Sequence, residues 1–247
     1  MQKGSEHGYL TVMNEIETRV YTGDISRLFE DRELYERYFE ELSSYRREKA
    51  EKYKNQNDRC RSVGAGTLLK MALFDCGLSE KDVSYGITGN GKPVIDGFPG
   101  IYFNLSHSKN RVMCVISNRD VGCDVEQIRN RGESGRRISE RFFSKEEKEY
   151  LEKAGVNGKD RYDEAFFTIW TLKESYIKCT GEGLGRAMEG FSVIQTPDGF
   201  IVKEDGGVNL KVLESEDSED MSYRFALCIK KRTSDDEPVI TRRKIIL

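Results

Sequence analysis

The chain has 247 residues, of which 34 % are charged, yet 40 Lys and Arg against 43 Asp and Glu leave a formal net charge of only −3. That length accommodates one domain or two of roughly 100–150 residues, and the balanced charge argues against a general nucleic-acid binder and a disordered acidic tail. No apolar run approaches the ~20 residues that cross a bilayer, and the first eight residues lack a signal-peptide core, so a soluble, cytoplasmic protein with no membrane partner is expected.

In chain order, the pattern from Asp31 to about Cys76 is helical. Leu34, Tyr38, Phe39 and Leu42 recur at three and four, and after a break a second periodic run ends at the stop signal Cys76-Gly77. Within it, residues 46–54 read as a solvated helix face of mixed charge. Gly91-Lys92-Pro93 predicts a turn leading into Val94-Ile95. A second turn over 96–100 precedes a strand over 101–105. Strands over 112–116 and 121–125 are joined by Ser117-Asn118-Arg119-Asp120, which also marks the expected division between a first lobe, 1–118, and a second, 119–247. Ser144-Lys145-Glu146-Glu147 carries the Ser-x-x-Glu pattern that opens a helix. A long helix follows from about 161 to 180, stopped by Gly181, Gly183 and Gly185. Strands over 191–195, 200–203 and 223–229 close the chain, with an acidic loop over 214–220 between the last two. Helices followed by strands occur in both halves, which predicts an α+β fold with pseudo-symmetric lobes.

The six cysteines (Cys60, Cys76, Cys114, Cys123, Cys179, Cys228) are widely spaced without a Cys-x-x-Cys pair, and read as buried free thiols. Of the two histidines, His7 lies near the terminus, leaving His107 as the candidate for imidazole chemistry.

Two short arrays carry the chemistry. Asp124 and Glu126 stand at strand spacing and leave one face of an extended segment. Trp170, Glu174 and Lys178 recur every four residues and share one helix stripe, with Lys173 at its side. Three carboxylates suit a hard divalent cation such as Mg²⁺. Taken singly, such residues are most often an exposed polar strand edge and a solvent-side helix ion pair of ~0.3–0.5 kcal/mol. The glycine run 181–185 follows a helix instead of opening one, so it is no phosphate loop.

The ordered set Gly91-Lys92-Pro93, Phe103-Asn104-Leu105-Ser106-His107-Ser108, Gly122-Cys123-Asp124-Val125-Glu126, Phe142-Phe143-Ser144-Lys145-Glu146-Glu147 and Trp170-Thr171-Leu172-Lys173-Glu174-Ser175-Tyr176-Ile177-Lys178 resembles the 4′-phosphopantetheinyl transferases of the surfactin-type, two-lobed branch. The resemblance implies a pseudo-dimer of two similar α+β lobes in one chain, sufficient as a monomer, with coenzyme A and Mg²⁺ between the lobes. It implies transfer of the phosphopantetheine arm of coenzyme A onto a serine of an apo acyl, peptidyl or aryl carrier protein, releasing adenosine 3′,5′-bisphosphate. By the same resemblance Asp124, Glu126 and Glu174 are the metal ligands, Glu174 also deprotonates the attacking serine, and Lys178 assists departure of the bisphosphate. Ser106 and His107 hold coenzyme A phosphates, Lys92 belongs to the nucleotide-binding turn, and Arg46, Lys49 and Arg61 are the basic residues near the 3′-phosphate. Arg46 stands where the family often has lysine, a change that is not neutral where geometry is tight.

Arginines 129, 131, 136, 137 and 141 crowd the segment after the acids. They read either as a docking segment for an acidic carrier or as an ordinary basic loop. Two further classes remain at this stage: a non-catalytic carrier-protein or coenzyme A binding module, and a Mg²⁺-dependent phosphodiester hydrolase.

Overall fold

The computed structural model describes residues 17–182, 188–214, 222–234 and 236–247. His7, Gly183, Gly185 and residues 215–220 of the acidic loop lie outside them. The chain divides into two compact units, Met1–Val121 together with Pro238–Leu247, and Gly122–Glu237.

In the first unit the long helical pattern resolves into separate helices because polar side chains cap each start. Asp31 accepts from the Leu34 amide at the head of α2 (Arg32–Glu40), Ser43 from the Arg46 amide at α3 (Ser44–Glu51), and Asn55 from the Asn57 amide at α4 (Gln56–Phe74). A short α1 (Ser26–Glu30) precedes them. α4 is apolar nearly all round, as a central helix must be: Cys60, Val63, Leu68, Leu69, Ala72 and Leu73 are all fully buried. It lies on a four-stranded sheet ordered β11-β1-β5-β4, formed by β1 (Thr18–Asp24), β4 (Tyr102–Ser108), β5 (Arg111–Ser117) and β11 (Ile240–Ile246). β1 pairs antiparallel with β5 and parallel with β11. The expected turns at Gly91 and Gly97 flank β3 (Pro93–Asp96), which forms a hairpin with β2 (Ser84–Ile87).

The second unit opens with β6 (Val121–Gln127), then α5 (Gly132–Phe142), α6 (Lys145–Gly155) and the 22-residue α7 (Lys159–Thr180). Its sheet is ordered β6-β10-β9-β8-β7, from β7 (Val193–Thr196), β8 (Gly199–Val202), β9 (Asp205–Leu213) and β10 (Tyr223–Lys230). α7 packs most closely on β10, and its core joins Phe166, Phe167, Ile169, Leu172 and Tyr176 to Val193, Ala226 and Cys228. Gly181, at φ 71°, takes the left-handed conformation that ends α7, as its position predicts.

The mixed α+β class holds, and both units share an order of strand, helices with a long final helix, then antiparallel strands. Six elements were not foreseen: β1, α1, β2, α5, β9 and β11. The division differs too. The units change over at Val121–Gly122 rather than at 118, and residues 119–247 do not form one lobe, because β11 needs the open edge of β1 for its backbone hydrogen bonds. All six cysteines are buried thiols outside any disulfide. From Gly132 onward the basic segment is the helix α5, on which Arg136 lies over the Tyr162 ring and Arg137 pairs with Glu133; just before it, Arg131 lies over the Phe166 and Phe167 rings and Arg129 over Phe167.

Candidate active site

A missing side chain brings the two arrays together. A Cβ on Gly122 would stand 2.1 Å from the Ser175 carbonyl oxygen and 2.3 Å from the Cys179 amide nitrogen, so only glycine lets β6 lie this close against α7. Asp124 and Glu126 follow at i+2 and i+4, on the Gly122 face of the strand. Along α7 from Ala165 to Cys179 every residue is buried except Trp170, Glu174 and Lys178, the predicted stripe. Trp170 stacks on Phe166 and packs on the core of its own unit.

Lys178 Nζ donates to Asp124 Oδ1 at 2.6 Å and to the Cys123 carbonyl at 3.2 Å. Asp124 is buried, and the Lys178 side chain retains 28 % exposure. Burial by itself would depress Lys178, but Asp124, with smaller help from Cys123 and Glu174, holds it above the usual lysine value. Burial raises Glu174 above the ordinary glutamate value of 4.5; Lys178 pulls against this, and the charges of Asp124 and Glu126 add to it. The three acids and the lysine therefore form one electrostatic group. Glu126 also has Arg129 at 3.9 Å.

Three carboxylates offer the hard oxygen donors that Mg²⁺ takes, and that ion is commonly held by one or two carboxylates with water and substrate phosphate completing its shell. Among the described residues no three His, Cys, Asp or Glu side chains close into a ready cage. The donor chemistry fits an ion that arrives with a phosphate.

Glu147 and Lys173 are the residues whose importance was missed. Lys173 Nζ, wholly inside the unit, donates to Glu147 Oε1 at 2.8 Å, to Oε2 at 3.1 Å and to the Phe191 carbonyl at 2.6 Å. Glu147 closes the expected capping box by accepting from the Ser144 amide at 2.7 Å, and also accepts from the Val193 amide at 2.7 Å. One buried carboxylate thus ties the head of α6, the middle of α7 and the start of β7, next to Glu174. The Ser-x-x-Glu pattern signalled the cap; nothing local signalled the lysine.

The basic residues of the first unit are placed less uniformly. Arg46 is buried, 3 % exposed, with Nη2 donating to the Ser62 carbonyl at 3.3 Å and Nε buried without a partner. Burial, then repulsion from Arg46 and Lys52, lowers Lys49. Arg61 pairs with Asp58 at 2.8 Å and reaches the Lys109 carbonyl in the β4–β5 turn, close in sequence to His107. Lys92 Nζ donates to Asp120 at 3.1 Å. Ser106 and His107 occupy opposite faces of β4, Ser106 buried and His107 exposed.

Three carboxylates and a lysine thus stand together where β6 meets α7. Residues 120–228, which hold all four of these side chains, match the family model of the 4′-phosphopantetheinyl transferase superfamily. A 4′-phosphopantetheinyl transferase of Bacillus subtilis is 28 % identical over 195 residues, covering 76 % of this chain and 81 % of the relative. The transferase Sfp of Bacillus subtilis strain 168 is 29 % identical over 201 residues, covering 78 % and 84 %. The transferase gsp of Aneurinibacillus migulanus is 32 % identical over 155 residues, covering 62 % of each. Over about three quarters of its length the chain is thus similar to transferases of the surfactin-type branch, and residues 120–228 carry the match to the 4′-phosphopantetheinyl transferase superfamily.

Proposed function

We propose that this transferase takes the phosphopantetheine arm from coenzyme A, with Mg²⁺, and places it on a serine of an apo acyl, peptidyl or aryl carrier protein. The observation that carries the reading is the approach of β6 to α7 at Gly122, which joins Asp124 and Glu126 to Glu174 and Lys178. In the reaction the serine oxygen bonds to the β-phosphorus of the donor pyrophosphate, and the bond from that phosphorus to the bridging oxygen breaks. Adenosine 3′,5′-bisphosphate leaves with the electron pair. Glu174 receives the serine proton, a role its raised affinity for protons suits. Lys178 offsets the charge that grows on the departing bisphosphate. Asp124, Glu126 and Glu174 are the residues that would hold Mg²⁺, which when bound supplies charge neutralisation at the pyrophosphate.

The first unit provides the nucleotide contacts in this reading. Lys49, Lys92, Arg61, His107 and Ser106 are its candidates for the phosphates, since cationic donors give short charge-assisted bonds. Arg46 acts from beneath the surface, because its guanidinium is buried. The two units are read as a pseudo-dimer on their shared element order, and a monomer in the cytoplasm suffices for the reaction.

Intact-mass spectrometry of an apo carrier protein incubated with this enzyme, coenzyme A and Mg²⁺ tests the proposal. The expected result is one added phosphopantetheine, abolished by a chelator. No gain across acyl and peptidyl carriers while coenzyme A stays bound would instead favour a binding module; bisphosphate release without carrier would favour a hydrolase.

A further inference from the structure

Arg224 breaks the pattern of its strand. Ala226 and Cys228, on the same face of β10, belong to the core beneath α7, so alternation assigns Arg224 to the core-facing side as well. Its Nε is buried without a hydrogen-bond partner, and among the described residues the guanidinium makes no hydrogen bond and no ion pair. Burial lowers its affinity for protons, with Glu164 and Tyr150 acting the other way. Arg224 as a whole is only half-buried, but a guanidinium nitrogen buried without a partner is costly, and positions where local rules fail at a cost tend to be functional.

The side chain lines a cavity of about 720 Å³, within the size range of small-molecule sites. Arg161 stands in the same wall but is committed to Glu164 at 2.8 Å, which leaves Arg224 as the uncommitted cation. Tyr150 and Phe200 meet edge to face, with centroids 5.8 Å apart, and Ala154, Ala165 and Val212 extend the apolar wall. Gln195 and Asn157 add amide groups.

We propose that this cavity between α6, α7 and the sheet of the second unit is a binding site for a small organic carboxylate, its anionic end on Arg224 and its apolar body against Tyr150 and Phe200. A planar guanidinium matches a carboxylate with two parallel hydrogen bonds, and the aromatic walls supply the affinity that a free inorganic anion could not use. The site is separate from the carboxylate and lysine group, since Thr168 of the cavity and Glu174 lie six residues apart on α7, about 9 Å along its axis.

The test is titration of the full-length protein with phenylacetate, followed by the methyl resonances of Ala154, Ala165 and Val212 in two-dimensional carbon–proton spectra. Saturable shifts confined to these methyls are expected, with affinity falling about 10- to 100-fold in Arg224→Gln, the loss of a charged hydrogen-bonding partner. Arg224→Lys, which keeps the charge and loses the fork, should bind more weakly than the native protein and serves if the glutamine variant does not fold. Phosphopantetheine transfer should persist in both. Absence of a saturable shift, or equal affinity in native protein and variants, overturns the site. Inorganic phosphate producing the same shifts while phenylacetate produces none overturns the ligand class.

Discussion

Replacing Glu147 by glutamine removes one charge from an ion pair that has no contact with water. The carboxylate accepts from Lys173 with both oxygens, from the Ser144 amide and from the Val193 amide, so every position around it is filled by a donor. A glutamine can keep only one oxygen; its amide nitrogen must face either the Ser144 or the Val193 N–H, donor against donor. The Lys173 ammonium keeps the Phe191 carbonyl but loses its counter-charge. Breaking a buried pair from one side costs about 3–5 kcal/mol, the range expected here. Trp170 is the only tryptophan and packs on the core of the same unit, so its fluorescence during urea unfolding reads this unit directly. A companion double variant, Glu147→Leu with Lys173→Met, should lose less than the sum of the single losses, because no buried charge remains and only neutral groups, the Ser144 and Val193 amides and the Phe191 carbonyl, lose a side-chain partner. A loss below about 1 kcal/mol in Glu147→Gln would place the pair among weak surface interactions and refute the clamp.

Gly122→Ala puts a methyl into the α7 backbone, where nothing can yield as a flexible side chain would; transfer activity should fall by at least tenfold while the helical content of the circular dichroism spectrum is largely kept, and near-native activity would contradict the close approach. Glu174→Gln should abolish transfer and yet raise the melting temperature of the metal-free protein at pH 7. The sign follows from the raised folded-state pKa: above it the native protein carries a buried carboxylate that the unfolded chain ionises more easily, so its stability is reduced at high pH and the deficit fades as pH falls toward the ordinary value of 4.5. A melting temperature that is lower in Glu174→Gln at every pH would remove that account.

Much of the site was legible because it is written in local periods. A strand period of two put Asp124 and Glu126 on one face with Gly122, and a helix period of 3.6 put Trp170, Glu174 and Lys178 on one stripe, the one left partly open along α7. The capping box at Ser144 and the stop at Gly181 were equally local, since each answers a backbone need within a few residues. Pairings across the chain were not legible. β11 joins β1 over more than two hundred residues, and its alternating, largely exposed residues leave no apolar run to announce it. Helix period places Lys173 and Lys178 on different faces without saying which enters the core; packing against Glu147 and Phe191 took Lys173 inside and left Lys178 to Asp124. Ser106 and His107 are neighbours in sequence and share a predicted role, yet the strand turns them to opposite faces. Arg224 likewise shows nothing unusual until the packing of Ala226 and Cys228 in the core assigns its face of β10 to the core side. The sequence by itself determined which chemical groups are available and how each array is spaced, because those follow from backbone geometry; tertiary structure decided which face was buried and which distant partner met it, because those depend on contacts that no local period encodes.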